Sequence, residues 1–337
     1  MSSLRLVINP ANIAHNARMT ASMCRSLNLE VVGVTKGAAG DPAVAQAMLE
    51  GGIKILADSR LENIARMRNA GIKAPIMLLR SPGPSEVLRC VHLADSSLDS
   101  DPGVMESLGK QARSIGKNHG IIVMVDLETR REGLPPSLAP EVCQKVQSFS
   151  GLELYGIGVY FHMTSRADFQ LQTLSEFVTL ARKIKRDMGI RLPVISGGSS
   201  NVFRSLAVED HRNPGINHLR VGTAILLGFS SSLNPVTIPG FERDTFIMEA
   251  EVIEMKVKKT REAILAVGRL DIEPRFLVPV APGAVVRDAT SDHLMVNVDK
   301  MNPEPNVGDF LSFRLGYPAL AKLMISPYVE KEYVHPA

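Results

Sequence analysis

Val31–Gly51 (VVGVTKGAAGDPAVAQAMLEG) contains the pattern from which the fold is predicted. Its first part, Val31–Lys36, is a short apolar run that is typical of a buried strand. Its second part, Asp41–Gly51, has the apolar spacing of an amphipathic helix. The segment is therefore predicted as one strand followed by one helix.

The same unit recurs through the first two thirds of the chain. Further apolar runs, predicted as strands, are Lys54–Ala57, Ala74–Arg80, Val91–Ala94, Ile121–Leu127, Leu152–Phe161, Pro193–Ser196 and His218–Leu226. Runs without clean alternation are typical of parallel strands that are buried on both faces, with helices outside. Eight such units are the number at which a parallel sheet closes into a barrel, so we predict a (β/α)8 barrel. An open doubly wound sheet has the same alternation and is the alternative.

The pattern changes after about Asn234. Short predicted strands, separated by Gly, Pro and charged turns, are Phe246–Lys256, Arg261–Val267, Phe276–Val280, His293–Val298 and Asp309–Phe313. Helical periodicity is missing there, which indicates an all-β domain. We therefore predict a barrel over residues 10–234 and a smaller C-terminal β domain over 235–337, which an N-terminal strand over 3–9 joins.

Composition excludes several classes of protein. The 337 residues include 38 Lys+Arg and 35 Asp+Glu, a net charge of +3, and no clustered basic run that would favour nucleic acid. Apolar residues at 45% and charged residues at 22% exclude global disorder. No apolar stretch approaches the roughly 20 residues of a membrane span, and the N-terminus lacks the layout of a secretion signal. Cys24, Cys90 and Cys143 have no CxxC spacing, so we expect a cytoplasmic protein without a disulfide or a metal site.

Lys36 ends the first predicted strand. The C-terminal ends of barrel strands form the catalytic mouth of this fold. A partly desolvated lysine there could form a Schiff base with a carbonyl compound. The alternative is a strand-end lysine that only extends into solvent.

Two small-residue segments follow the last two predicted barrel strands. Ile195–Asn201 (ISGGSSN) offers hydroxyls and a helix N-terminus, and His218–Ala224 (HLRVGTA) contains Gly222, which permits close approach to the backbone. A phosphate site after strands seven and eight recurs in barrels, so the pair predicts an anion site. For the first segment, a flexible turn with a serine N-cap is the alternative.

Two further segments carry candidate side chains. Asp126–Gly133 (DLETRREG) follows the fifth strand with a dense set of charges, for which the alternative is a solvated loop. Tyr160 and His162 are two residues apart on one predicted strand and therefore share a face, which we expect to be the barrel interior. A histidine that is only part of the core is the alternative for His162.

With these segments in view, the chain resembles the fold-type III pyridoxal-phosphate (PLP) enzymes, and it is most similar to the ornithine racemase branch of the alanine/ornithine racemase family. The matching stretches span nearly the whole chain in the same order: Val31–Pro42, Ala57–Asn63, Leu78–Pro82, Val125–Leu134, Ile195–Ser200, Leu219–Gly228, Ser291–Leu294 and Gly316–Val329. The resemblance implies PLP as the cofactor.

The resemblance also implies roles for individual residues. Lys36 would hold PLP covalently and act as the base on one face of the substrate carbon. The phosphate would be bound by a group of small or hydroxylated residues: Ser199, Ser200, Gly222, Thr223 and Tyr317. Arg131 would lie near a PLP oxygen and the substrate carboxylate, and either Tyr160 or His162 would pack on the ring.

Arg220 would face the pyridine nitrogen of the cofactor. Because a guanidinium stays protonated and can only donate, it would leave that nitrogen unprotonated and weaken the cofactor as an electron sink. Such tuning suits removal and return of one proton. Racemisation needs an acid or base on each face of the carbon.

The residue for the second face departs from the family pattern. Alanine racemases have a tyrosine in a Gly-Tyr-x-Asp motif of the β domain, whereas Arg269 stands there in this chain, and Met124 lies near the position of their carbamylated lysine. Asp292 and His293 are the candidates, because a His–Asp neighbourhood can titrate near neutrality. The alternative is that the two residues only bind substrate or stabilise an interface.

The sequence thus predicts a PLP-dependent racemase of a free amino acid, and the expected substrate is a basic amino acid such as ornithine, lysine or arginine. The resemblance implies a head-to-tail homodimer. The alternatives are a decarboxylase or an aldolase on the same fold, or a non-catalytic PLP-binding protein.

Overall fold

Two units make up the described part of the chain. The computed structural model describes residues 2–127, 130–161, 167–209, 212–230, 236–257 and 259–334, without the side chains of 167–169. One unit is a closed barrel of eight parallel strands, and the other is a mostly antiparallel eight-stranded sheet. The predicted barrel with a C-terminal β domain is confirmed, and the open-sheet alternative is wrong.

The chain starts with strand β1 (Leu4–Ile8) and helix α1 (Pro10–Ser26). The Asn9 side chain accepts a hydrogen bond from the Asn12 amide, and Pro10 occupies the first turn, where its missing N–H has no cost. The start of the helix is therefore stabilised by a capped amide at Asn12 and by a proline that has no N–H to satisfy.

The barrel is closed by hydrogen bonds between its first and last strands. Its strands are β2 (Glu30–Val34), β3 (Ile55–Asp58), β4 (Ile76–Leu78), β5 (Ser96–Asp99), β6 (His119–Val125), β7 (Leu152–Val159), β8 (Val194–Ser196) and β9 (His218–Val221). Strand β2 pairs in parallel with both β3 and β9. A cluster of apolar side chains packs together inside: Val32, Val34, Ala57, Met77, Leu98, Ile122 and Met124. The packed interior leaves the C-terminal mouth as the place for a site.

Helices follow the barrel strands and cover them. They are α2 (Pro42–Glu50), α3 (Leu61–Asn69), α4 (Val87–Leu93), α5 (Pro102–Ser114), α6 (Ala139–Ser148), α7 (Ala167–Met188), α8 (Ser200–Ala207) and α9 (Thr223–Leu227). No helix of the described residues has the length and apolar character to cross a membrane.

Two strand predictions were wrong in their detail. Val91–Ala94 belongs largely to α4, which buries Val87, Cys90 and Val91 at helical spacing, and the strand β5 follows two residues later. Its polar side chains can be buried because they bond to one another: the Ser97 hydroxyl contacts His119 Nε2 at 2.8 Å and Asp99. The predicted strand His218–Leu226 ends at Val221, and α9 begins after Gly222.

The second unit contains strands from both ends of the chain. Its later elements are β10 (Phe246–Val257), β11 (Arg261–Leu265), β12 (Leu277–Pro279), β13 (Val285–Ala289), β14 (Leu294–Asn297), β15 (Phe310–Leu315), α10 (Tyr317–Ile325) and β16 (Glu330–Tyr333). Strand β1 pairs antiparallel with β10 and parallel with β16.

Helix α10 was not anticipated from the sequence. It is short, and Pro318 in its first turn is compatible with a helix because that position needs no N–H donor. Its buried residues include Leu320 and Leu323. The helix positions Tyr317 against Gly37: a Cβ on Gly37 would lie 2.7 Å from Cε2 of the tyrosine ring. The second unit thus contributes a side chain to the barrel mouth.

Candidate active site

One cavity at the barrel mouth contains nine of the twelve predicted site residues. They are Lys36, Arg131, Tyr160, Ser199, Ser200, Arg220, Gly222, Thr223 and Tyr317. Tyr317 comes from helix α10 of the second unit, and the others follow or end barrel strands that the closure of the barrel brings together. His162 lies outside the described residues, and neither Asp292 nor His293 lines the cavity.

Lys36 opens a short 3-10 turn, Lys36–Ala38, directly after β2. Its side chain is solvent-accessible, and it lines the cavity. Desolvation by the cavity walls, together with the positive charge of Arg131, lowers the pKa of this amine below its usual range, whereas Asp58 opposes the shift. The amine is therefore a better nucleophile and base near neutral pH than an ordinary surface lysine.

An anion cradle lies where α8 begins and β9 ends. The Ser200 hydroxyl is 3.4 Å from the amide nitrogens of Gly222 and Ala224, and Ser199 is the N-cap of α8. Hydroxyls, backbone amides and a helix N-terminus together favour an anion such as a phosphate. Ser230 also lines the cavity, and its buried hydroxyl has no hydrogen-bond partner among the described residues.

Arg220 is buried and held by hydrogen bonds at the end of β9. Its guanidinium donates to the carbonyl oxygen of Val159 at 2.9 Å and to the Ser196 hydroxyl. That hydroxyl lies 2.8 Å from Nδ1 of His218, whose pKa is lowered to about 3 by burial and by Arg220, so the imidazole is neutral. Burial lowers the pKa of Arg220 to about 10, which still leaves it a cation at neutral pH. The site therefore contains a fixed, donor-only group.

The loop after β6 supplies a charged pair. Arg131 forms an ion pair of 2.6 Å with Glu132, and its guanidinium carbon lies 3.8 Å from the centroid of the Tyr160 ring. The ring and the carboxylate therefore restrict Arg131, which stays about half exposed. Glu132 also lines the cavity and is the one carboxylate among its described lining residues.

Sequence reasoning did not single out Glu132, Ser230 or Asp58 as site residues. Glu132 was part of a charged run for which a solvated loop was the alternative. Asp58 lies in a stretch that matches the family. Its importance shows only in its buried contact with Thr35, which no sequence pattern reveals. Ser230 has no sequence signal, because its position depends on how the chain leaves the barrel.

The candidates for the second face lie on the β domain. Asp292 and His293 are exposed in the turn between β13 and β14. Arg269 is bound to the same hairpin: its amide donates to the Thr290 carbonyl at 2.8 Å, and its side chain pairs with Asp288 at 3.1 Å. These residues form one exposed face, distinct from the cavity of their own chain.

The three cysteines carry no reactive thiol. Cys24, Cys90 and Cys143 are all free and buried. Desolvation raises the pKa of each thiol to about 12, so the thiolate is not populated near neutral pH.

The residues of the cavity fit pyridoxal phosphate. Lys36 would offer an amine to its aldehyde, the cradle with the unpartnered Ser230 hydroxyl would offer donors to its phosphate, and Arg220 would offer a donor to its ring nitrogen. Leu79, Leu98 and Met124 add apolar surface. The aldehyde, the phosphate and the ring nitrogen of the cofactor would thus each have a chemically matched partner.

Comparisons with known proteins agree with this assignment. Residues 8–228 match the family described as alanine racemase, N-terminal domain. The lysine racemase of Thermotoga maritima is 35% identical, over 98% of both chains, and the ornithine racemase of Acetoanaerobium sticklandii is 28% identical, over 97% of this chain and 99% of its own. A solved alanine racemase of Clostridium difficile 630 in complex with cycloserine has the same fold, with a TM-score of 0.76, 16% identity, and coverage of 99% of this chain and 96% of that one.

The barrel, its lysine-bearing mouth and the accompanying β domain define a fold-type III PLP enzyme, and its class is that of the amino-acid racemases. The family match covers well over half of the chain, and a relative more than 30% identical extends over nearly all of it. The chain therefore belongs to the alanine racemase N-terminal domain family. The family and the cofactor that the sequence predicted are confirmed.

Proposed function

We propose that this enzyme interconverts the L- and D-forms of a basic amino acid such as lysine or ornithine. The observation that carries the proposal is the cavity that joins Lys36, Arg220, Glu132 and the anion cradle. The lysine and ornithine racemases that match the chain over almost its full length support a basic substrate.

The chemistry supplied by bound pyridoxal phosphate is electron withdrawal, which makes the α proton of an amino acid removable. Lys36 would hold the cofactor and move that proton at Nζ. Arg220 would donate to the ring nitrogen, and Ser200 with the backbone amides of Gly222 and Thr223 would bind the phosphate. Arg131 would orient the substrate carboxylate, because a guanidinium matches a carboxylate in two parallel hydrogen bonds.

The remaining proposed contacts come from aromatic and hydroxyl groups around the cradle. Tyr317 would add its hydroxyl to the phosphate site; its pKa is raised to about 12, mainly by burial, so that it stays a donor. Ser199 would add a second hydroxyl. Tyr160, already packed under the guanidinium of Arg131, would flank the cofactor ring.

The substrate assignment can be tested directly. Purified protein incubated in deuterium oxide with L-lysine or L-ornithine is expected to produce the D-enantiomer with deuterium at the α carbon. Chiral chromatography with mass spectrometry measures both. Carbon dioxide or aldehyde as the main product would contradict racemisation, and turnover of alanine with none of lysine or ornithine would contradict the basic substrate.

Glu132 is expected to set the preference for a side-chain cation. A substrate ammonium paired with this carboxylate would add a charge-assisted hydrogen bond of about 1.5–3 kcal/mol. Glu132→Gln should therefore lower kcat/KM for lysine by roughly 10- to 100-fold. It should change kcat/KM much less for norleucine, whose side chain has the same four carbons as that of lysine but no ammonium.

Glu141→Gln, on the exposed face of α6, is the matched control and should leave both substrates unaffected. An equal loss for lysine and norleucine in Glu132→Gln would mean that Glu132 acts only through Arg131.

The second proton donor is proposed to come from another copy of the chain, in a head-to-tail homodimer. The support is that Asp292 and His293 are exposed and away from the cavity of their own chain, while the described cavity has Lys36 as its one amine base. A mixture of Lys36→Ala with the double variant Asp292→Asn/His293→Ala should regain about one quarter of parent activity, because half of the dimers would then have one intact site. Two inactive proteins that stay inactive when mixed and refolded together would contradict shared sites.

We also propose that the enzyme works in the cytoplasm. The support is that all three cysteines are free thiols, as is usual in a reducing compartment.

A further inference from the structure

A buried carboxylate outside the cavity is bonded to the turn that carries Lys36. Asp58 ends β3, and its side chain is 0% exposed. Its Oδ2 accepts from the Thr35 hydroxyl at 2.8 Å, and Thr35 is the residue directly before Lys36. Its Oδ1 accepts from the Arg60 amide at 3.0 Å and from Nδ2 of Asn63 at 2.9 Å.

These contacts favour the ionised form of Asp58. Burial raises the pKa of the carboxyl, while the hydrogen bonds from Thr35, Asn63 and Arg60 oppose that shift. Both N–H groups can only donate, and the hydroxyl proton has its shorter contact with Asp58 rather than with the Ala57 carbonyl at 3.1 Å. Oδ1 therefore acts only as an acceptor, and the shorter hydroxyl contact favours the same role for Oδ2. Burying a charge is costly, and the neutral side chain of an asparagine could make hydrogen bonds to the same three groups. The stability of the fold therefore does not explain why position 58 is an aspartate.

We propose that Asp58 is a positioning residue for Lys36: through its hydrogen bond with the Thr35 hydroxyl it fixes the turn from which the lysine projects, and it places a buried carboxylate next to that turn. Backbone hydrogen bonds and the packing of Tyr317 against Gly37 also hold this turn. The Thr35 amide donates to the Ala57 carbonyl at 2.9 Å, and the Ala38 amide to the Thr35 carbonyl at 2.8 Å. Asp58 adds a hydrogen bond to the side chain of Thr35, the residue that connects β2 to the turn.

Most of the influences on Lys36 lower the pKa of its amine, and the charge of Asp58 opposes them. Arg131 from the loop after β6 and Arg220 from β9 both disfavour its protonated form, and desolvation acts in the same direction. Asp58 from β3 and Glu132 from the loop oppose them, Asp58 being the larger of the two. Without Asp58, the amine would lose its main electrostatic counterweight, and its pKa would fall further. The inference concerns the amine itself and is independent of the proposed substrate.

Asp58→Asn tests the charge with little change in shape. The amide oxygen can still accept from Arg60 and Asn63, and the amide nitrogen can donate to Thr35, whose hydroxyl then turns to the Ala57 carbonyl. The pH dependence of Lys36 acylation in cofactor-free protein, read by mass spectrometry of the peptide, should shift to lower pH. Asp99→Asn is the control, since Asp99 is a buried carboxylate at the end of the next strand but one and is not among the charges that act on Lys36. An unshifted profile in Asp58→Asn, or an equal shift in Asp99→Asn, would overturn the electrostatic part.

Thr35→Val tests the positioning part, because it keeps the carboxylate and removes the link. Loss of a charge-assisted hydrogen bond of about 1.5 kcal/mol corresponds to roughly tenfold slower formation of the yellow adduct with added pyridoxal phosphate, followed by absorbance. Thr35→Ser, which retains the hydroxyl, should restore the parent rate. Adduct formation in Thr35→Val at the parent rate would overturn this part, and neither measurement requires racemase activity.

Discussion

Lys36→Ala is expected to abolish racemisation, with a fall in kcat of at least about 10⁴-fold. A positioned general base contributes roughly 10²- to 10⁴-fold, and here the same amine is also proposed to hold the cofactor. In the described residues that line the cavity, Lys36 is the one primary amine, so that no neighbour can replace it. Chiral chromatography of lysine and ornithine after long incubation provides the measurement.

Borohydride reduction adds a readout that does not depend on turnover. In the parent protein it should attach the cofactor irreversibly to the peptide that contains Lys36, and in Lys36→Ala no such peptide should be found. Lys73→Ala, which removes an exposed lysine, should behave as the parent. Undiminished racemisation by Lys36→Ala would refute the assignment of the site.

Arg220→Gln is expected to lower kcat by about 10²- to 10³-fold, the usual cost of removing a preorganised donor from an active site. Glutamine can still donate one hydrogen bond, but it has no charge and no second arm for Ser196 and the Val159 carbonyl. With its pKa at about 10, Arg220 stays protonated through neutral pH, so the parent enzyme should show no loss from this group until the pH approaches 10.

Arg220→Lys separates charge from geometry. Lysine keeps the positive charge but lacks the planar fork, so we expect it to restore only part of the lost rate. Melting temperatures of both variants show whether loss of the buried hydrogen bonds has unfolded the protein instead. Full activity in a folded Arg220→Gln would mean that the ring nitrogen needs no cationic partner.

The fold was largely predictable because its signal is periodic. Each barrel strand needs only an apolar run and each helix only an apolar stripe, and the helix predicted over Asp41–Gly51 is α2, Pro42–Glu50. The prediction was wrong where polarity misled it. Strand β5 buries Ser97 and Asp99, and the Ser97 hydroxyl is accommodated in the core because it contacts both His119 and Asp99.

The site was predictable to the extent that it follows strand ends. Lys36, Ser200 and Gly222 each lie a few residues at most after the end of a barrel strand, so their meeting at the mouth follows from the closure of the barrel. Glu132 and Ser230 do not have this property. Their place at the cavity depends on the paths of loops, which a periodic pattern does not specify.

The sequence by itself determined the barrel, the order of its strands and the chemical types gathered at its mouth, because strand period, residue type and chain order are all linear properties. The tertiary structure alone decided which polar groups are desolvated and which are paired. The cation of Arg220 is fixed beside the Val159 carbonyl, and the carboxylate of Asp58 is buried against Thr35. These depend on contacts between residues distant in sequence, and it is burial next to a specific partner that changes the pKa of an amine or an acid.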